Sequence, residues 1–270
     1  MVSRKDYDAE AVAAAQSVLV EISHLLGEYR ENIVLVGGWV PKFSWENPDS
    51  PHVGSTDIDL ALDHRRFKDE GYRTVKQLLR EKGYTEGKQP FIFFRQVGDL
   101  RVEVDLLAGE YEGTGRGHRT QRVQDAKPRK ARGCDLAFEA SHRVTVEAEL
   151  PDGGLDTVEV RVASIVPFLI MKAMALENRL KEKDSYDIYY SLANHPGGIP
   201  RIVDEFHPYM DHGLTQEGLT TIAAQFDSPE SVGPVSVANF DEISDPEERE
   251  LLQRDAYERV TALIQGLELP

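Results

Sequence analysis

The sequence predicts an α/β fold of the α+β kind: a mixed sheet with helices, followed by a C-terminal region built of helices alone. Three observations carry this. Short apolar or alternating runs with strand character fall before residue 163. A strand–turn–strand signal closes that region, with 143–150 and 157–163 flanking Pro151-Asp152-Gly153-Gly154. Beyond residue 164 apolar residues recur at helical spacing, as in Leu252, Ala256, Val260, Leu263 and Leu267. The expected division is therefore a domain over 1–163, ending in the hairpin, and a helical domain over 164–270.

Each element has its own signal. Residues 5–30 read as an amphipathic helix, with Ala11, Ala15, Val18, Leu19, Ile22 and Leu26 on its apolar stripe. Residues 33–36 are a short apolar strand that ends in Gly37-Gly38. A short helix is expected from Trp39, and 47–52 is a loop rich in Pro, Asn and Asp. Residues 57–60 read as a strand, 66–82 as a helix capped by Gly83, and 91–95 as a strand. After a turn at Asp99-Leu100, residues 101–107 alternate strictly: Val102, Val104 and Leu106 face one way, Arg101, Glu103 and Asp105 the other. Helices are expected over 165–180, from 184 onward, and near 200–207, 214–225 and 246–267, with a break at Pro196-Gly197-Gly198-Ile199-Pro200.

The chemistry concentrates at Gly37-Gly38 and Asp57-Ile58-Asp59-Leu60. On a strand the period of two places Asp57 and Asp59 on one face and the apolar pair on the other. Carboxylates two apart stand roughly 6.5–7 Å apart at Cα, within joint reach of one divalent cation or a pair of them. A Gly-Gly turn lets backbone N–H groups approach an anion, because no Cβ intervenes. Ser44 and Ser55 are nearby hydroxyls that could assist. Alone, an Asp-x-Asp pair is weak evidence in a chain with 47 acidic residues.

The apolar strand, the glycine pair and the aspartate pair, in this order, resemble the nucleotidyltransferase superfamily of the DNA polymerase β type. That resemblance implies a third carboxylate on a neighbouring strand. Asp105 matches it best, with Glu103 as the alternative. Trp39 departs from the small residue common after the glycines. A second motif, Lys172-x-x-Ala-Leu-x-x-Arg179 followed by Lys183-Asp184-x-x-Asp187-Ile188, resembles the AbiEii/MenT-type enzymes, toxins of abortive-infection and type IV toxin–antitoxin systems. The resemblance spans about residues 33–192. It implies transfer of an NMP from an NTP to an acceptor hydroxyl. Asp57, Asp59 and Asp105 would hold Mg²⁺, with Mn²⁺ as a substitute. Gly37, Gly38, Ser55, Lys172 and Arg179 would bind the nucleotide, and Asp187 would lie near the metal or nucleotide. A tRNA 3′ end is the implied acceptor and a cognate antitoxin the implied protein partner, in a toxin or phage-defence role. On the residues alone, Lys172 also reads as a salt-bridged helix lysine, Arg179 as its neighbours' ion-pair partner, and Asp184 as a helix N-cap.

Composition bounds the remaining classes. Apolar residues form 40% of the 270 and charged residues 29%, an ordinary globular balance. No apolar run approaches the roughly 18 residues of a membrane span, so no membrane partner is expected. The N-terminus shows no secretion signal, and the lone Cys134 suits a reducing compartment; the expected location is cytoplasmic. A net charge of −16 argues against broad nucleic-acid binding. Against that background the basic tract 113–133 stands out, with Arg116, His118, Arg119, Arg122, Lys127, Arg129, Lys130 and Arg132; it reads as a mobile arm for phosphates or RNA, or as a solvated loop. Two further readings stay open: a transferase that nucleotidylates a small molecule such as an antibiotic, and a non-catalytic nucleotide-binding relative.

Overall fold

The computed structural model describes residues 2–67, 73–110, 120–179 and 181–269. The chain forms two compact units. One comprises Tyr7–Phe43 and Gly54–Ser164; the other comprises Met1–Asp6, Ser44–Val53 and Ile165–Pro270. The sequence suggested a single cut near 164. Two short segments from before that point belong instead to the helical unit.

The sheet unit begins with helix α1 (Ala9–Leu25), capped by the Asp8 side chain accepting from the Glu10 N–H. The expected helix over 5–30 is thus shorter, with 3₁₀ turns at Arg4–Asp6 and Gly27–Asn32 on either side. Strand β1 (Ile33–Val36) leads through the 3₁₀ turn Gly37–Trp39 into helix α2 (Val40–Ser44), where the unit boundary falls. Strand β2 (Asp57–Leu62) follows. Helix α3 (Val75–Glu81) starts at a capping box formed by Thr74 and Gln77, so the helix expected from residue 66 is replaced by turns over 64–66; residues 68–72 lie outside the described set. Then come β3 (Thr85–Glu86), β4 (Ile92–Val97), β5 (Leu100–Ala108) and β6 (Arg129–Lys130). Helix α4 (Cys134–Glu139) and the hairpin β7 (Ser141–Glu149) and β8 (Leu155–Ala163) complete it. Neither β6 nor α4 was expected; both are short, and β6 is hidden in the basic tract.

The strands form one mixed sheet ordered β3-β4-β5-β2-β1-β8-β7, with β6 paired to β5. Helix α1 packs on β5, β7 and β8 through Ala15, Val18, Leu19, Val20 and Ile22, all fully buried. Burying each of the larger side chains contributes about 1.5–3 kcal/mol. The covered face carries Ile58, Leu60, Phe93, Val102, Val104 and Leu106. Arg95 on β4 confirms the orientation, because its guanidinium bonds Glu21 of α1 at 2.8 Å. The alternate residues, Asp57, Asp59, Glu103, Asp105 and Phe94, therefore project from the opposite face.

The helical unit contains α5 (Ile165–Asn178), α6 (Glu182–Asn194), α7 (Gly198–Phe206), α8 (Gly213–Gln225), α9 (Val232–Phe240) and α10 (Pro246–Gly266). Helix α9 was not expected; Gly233 and Pro234 in its first turn disguise it. Segment 44–53 is stitched to α6: the Asn47 N–H donates to the Tyr190 hydroxyl at 3.0 Å, which donates in turn to the Ser50 carbonyl. Among the described residues no helix is long and apolar enough to cross a membrane.

Candidate active site

The site in the sheet unit is built around the end of β1. Gly37 has φ of +75°, a conformation glycine adopts without strain. A Cβ added there would stand 2.1 Å from Asp59 Oδ2. Glycine is required twice over, by the backbone angle and by the carboxylate pressed against it. Strand register does the rest. Strand β2 runs antiparallel to β1, with Val36 opposite Asp59, and parallel to β5, with Asp57 opposite Glu103 and Asp59 opposite Asp105. Neighbouring strands lie about 4.8 Å apart. Four carboxylates thus share one patch of one face, beside the glycine turn.

Side chains around the patch hold it in position. The Ser55 hydroxyl donates to Asp57 Oδ1. The indole N–H of Trp39 donates to the Asp57 carbonyl at 2.8 Å, and its ring stacks on Phe43 at 5.2 Å. Trp39 is fully buried, which gives the large residue after the glycines a use: it fixes the backbone of the first aspartate. The five-residue α2 that follows is too short to supply much of a helix dipole.

Asp105 is held differently. Its Oδ2 accepts from Arg129 Nη2 at 2.8 Å, while its buried Oδ1 has no hydrogen-bond partner. Burial pushes its pKa up to about 6; Arg129 opposes the shift, and the charges of Glu103 and Asp57 add to it. The sequence reads Arg129 as part of a mobile arm or of a solvated loop. It lies in β6, tied to β5 by pairing with Leu107. Within the tract, Arg116, His118 and Arg119 lie outside the described residues.

Among the described residues no three His, Cys, Asp or Glu side chains are gathered as in a finished metal cage. Mg²⁺ does not need one: it takes one or two carboxylates and completes its shell with water and phosphate oxygens. Adjacent Asp59 and Asp105, the buried oxygen of Asp105 with no hydrogen bond, and the mutual repulsion of the acids all suit a hard cation.

The second motif forms a cluster within the helical unit. Lys172 on α5 places Nζ 2.8 Å from Asp184 Oδ1 and 2.7 Å from Asp187 Oδ2. Lys183 Nζ is 2.7 Å from Asp187 Oδ1, and Arg179 Nε is 3.1 Å from Asp184 Oδ2. The N-cap of α6 is Lys181, so Asp184 is not the cap; it lies in the first turn and receives the cations. His52, from segment 44–53, meets Asp187 Oδ1 through Nε2 at 2.9 Å. Its ring stacks on Tyr186 and abuts Tyr190 edge-on, at 5.5 and 4.8 Å. Burial opposes every charge here. The lysines and His52 nevertheless hold Asp187 well below the usual carboxylate range, and Asp184 and Asp187 raise Lys172. Lys183 shifts downward, first through burial and then despite Asp187. His52 falls to about 4, through burial and the neighbouring Lys183. Its place here had no signal in the sequence beyond a histidine in a polar loop.

A crystal structure from H. pylori, provisionally assigned as a nucleotidyltransferase, aligns over 94% of this chain and 96% of its own, at 12% identity and a TM-score of 0.38, too weak a likeness to bear on function. No curated protein matches the chain. The family model for the nucleotidyl transferase AbiEii toxin of type IV toxin–antitoxin systems matches residues 26–270. That span takes in the glycine turn, all the sheet carboxylates and the lysine–aspartate cluster, and the chain belongs to the AbiEii nucleotidyltransferase family.

Proposed function

We propose that this nucleotidyltransferase moves an NMP from an NTP to a hydroxyl of RNA, with a tRNA 3′ end as acceptor, in a toxin or phage-defence role restrained by an antitoxin. The observation that carries the reading is the β2–β5 register, which sets Asp59 beside Asp105 with Gly37 closed onto Asp59. Exposed Arg122 and Lys127, in a chain of net charge −16, support a polyanionic acceptor.

In this reading Asp57, Asp59 and Asp105 would hold Mg²⁺, for which Mn²⁺ can substitute. The bound cation supplies Lewis-acid polarisation of the α-phosphate and offsets charge on the entering and leaving oxygens. Ser55 and Trp39 fix Asp57. The Gly37 and Gly38 N–H groups donate to the triphosphate oxygens. As an alternative to holding the ion, Asp105 receives the acceptor's hydroxyl proton. The acceptor oxygen then bonds to the α-phosphorus as the bond to the pyrophosphate oxygen breaks. The family resemblance gives Lys172 and Arg179 the role of nucleotide contacts; within the helical unit Asp184 pairs with both, and Asp187 with Lys172.

The test is label transfer. Purified protein, Mg²⁺ and each of four α-labelled NTPs are incubated with total tRNA. Label on the RNA that disappears in Asp57→Ala and Asp59→Ala supports the reading. Label on no acceptor, with both variants matching wild type, removes it.

A further inference from the structure

The face that carries the acids does not end with them. Strand β4 pairs antiparallel with β5, placing Phe94 opposite Glu103 and Ile92 opposite Asp105. Two rows therefore cross three strands: Asp57, Glu103 and Phe94 in one, Asp59, Asp105 and Ile92 in the other. Phe94 and Ile92 are only half-buried, whereas Phe93 between them is fully buried under α1. The guanidinium of exposed Arg101, diagonal to Phe94 across the strands, lies 3.6 Å from the centre of its ring. The guanidinium is therefore stacked on the ring, and its outer plane, backed by Phe94, forms a flat cationic shelf beside the carboxylates.

We infer that the Phe94–Arg101 shelf seats the terminal nucleobase of the RNA acceptor. The inference rests on the transferase reading above and names the acceptor subsite of that same site. Position supports the assignment. The glycine turn flanks Asp57 and Asp59 on the β1 side, and the shelf flanks them on the β4 side, because the sheet runs β4-β5-β2-β1. Triphosphate and acceptor thus have opposite flanks. A base stacked on that plane puts its sugar toward β5, the strand of Glu103 and Asp105. The shelf lies about two strand spacings, roughly 10 Å, from Asp57, a gap one nucleotide bridges. Chemistry supports it as well. Single-stranded RNA is held by stacking on aromatic rings and guanidinium planes, whatever the base. Arg101 adds a cation suited to the adjoining phosphate.

The experiment has a kinetic arm and a binding arm. Label transfer to tRNA is measured for wild type, Phe94→Ala, Phe94→Tyr and Arg101→Ala, each checked for an unchanged circular-dichroism melt. Phe94→Ala should raise KM for RNA by about 5- to 150-fold, the loss of one base stack, and leave KM for the NTP unchanged. Phe94→Tyr should restore the RNA KM. In the second arm a dye-labelled single-stranded RNA oligonucleotide is titrated without NTP and followed by anisotropy, and Phe94→Ala should weaken it to a similar degree. Unchanged RNA KM and oligonucleotide affinity in Phe94→Ala overturn the shelf, as does a rise confined to the KM for the NTP. If wild type labels no RNA while Phe94→Ala still weakens oligonucleotide binding, the shelf stands and the RNA-transferase reading falls.

Discussion

Gly37 and Asp59 touch so closely that the Cβ of an alanine has no room: it would sit 2.1 Å from one carboxylate oxygen and 2.9 Å from the carboxylate carbon. Neither atom is the far end of a long, flexible chain, so relief has to come from moving Asp59 or the turn. The φ of +75° adds strain of its own, about 1–2 kcal/mol for a residue with a Cβ. Gly37→Ala should therefore leave the fold intact and cut nucleotide transfer by about 10²-fold or more, since an ångström of misplacement is enough for that. The check is label transfer alongside a thermal melt; wild-type rates would remove Gly37 from the site.

Trp39 makes a subtler prediction. Trp39→Phe keeps an aromatic ring against Phe43 and removes the N–H that donates to the Asp57 carbonyl. The bond is half-buried, and its loss costs about 0.5–1.5 kcal/mol. A lower urea midpoint with an unchanged slope is expected, together with slower transfer, because the first aspartate loses its tether. A midpoint equal to wild type would mean that water replaces the indole.

Much of this site was legible because it rests on short-range rules. The alternation of 101–107 specified which β5 residues share a face, and the Asp-x-Asp spacing did the same for β2. Their relative register was not readable: a parallel pair gives no turn from which to count, and sliding β5 by two residues would set Glu103 beside Asp59. The bond from Arg129 to Asp105 was hidden for a similar reason, since β6 is two residues long and surrounded by basic residues that look solvated. The place of His52 on Asp187 escaped because segment 44–53 joins a unit whose remaining parts lie mostly more than a hundred residues away in sequence. The helix expected from residue 66 fails on local chemistry, for Thr74 and Gln77 form a reciprocal cap that starts it later.

The Lys172, Lys183 and Asp187 contacts predict an asymmetry. Asp187 faces both lysines, and its side chain is fully buried. Asp187→Asn leaves two buried cations short of a counter-charge, and breaking a buried pair in this way costs about 3–5 kcal/mol. Lys183→Met is the milder change, because Lys172 still neutralises Asp187. Denaturant unfolding of both variants should show the larger loss in Asp187→Asn. Equal losses would mean that the two lysines do not share this carboxylate.

His52 gives the pH dependence. It faces Asp187, Lys183, Lys172, Tyr186 and Tyr190, and burial together with Lys183 lowers its pKa from 6.5 to about 4. Between those values the unfolded chain binds a proton that the folded chain refuses. Stability therefore falls as pH drops from 6.5 through 4 and is fully present above 6.5, a swing of about 3 kcal/mol. Other carboxylates titrate over the same range, so the quantity to follow is the difference between wild type and His52→Gln, which keeps a donor near Nε2 and cannot charge. At pH 7 the two differ only by the cost of the altered side chain. On going to pH 4.5, wild type should lose stability relative to the variant by most of that swing, read as converging or crossing urea midpoints. A difference that stays constant with pH would mean that His52 titrates alike in the folded and unfolded chain, and one that moves in favour of wild type that it enters the fold protonated, as a third cation on Asp187.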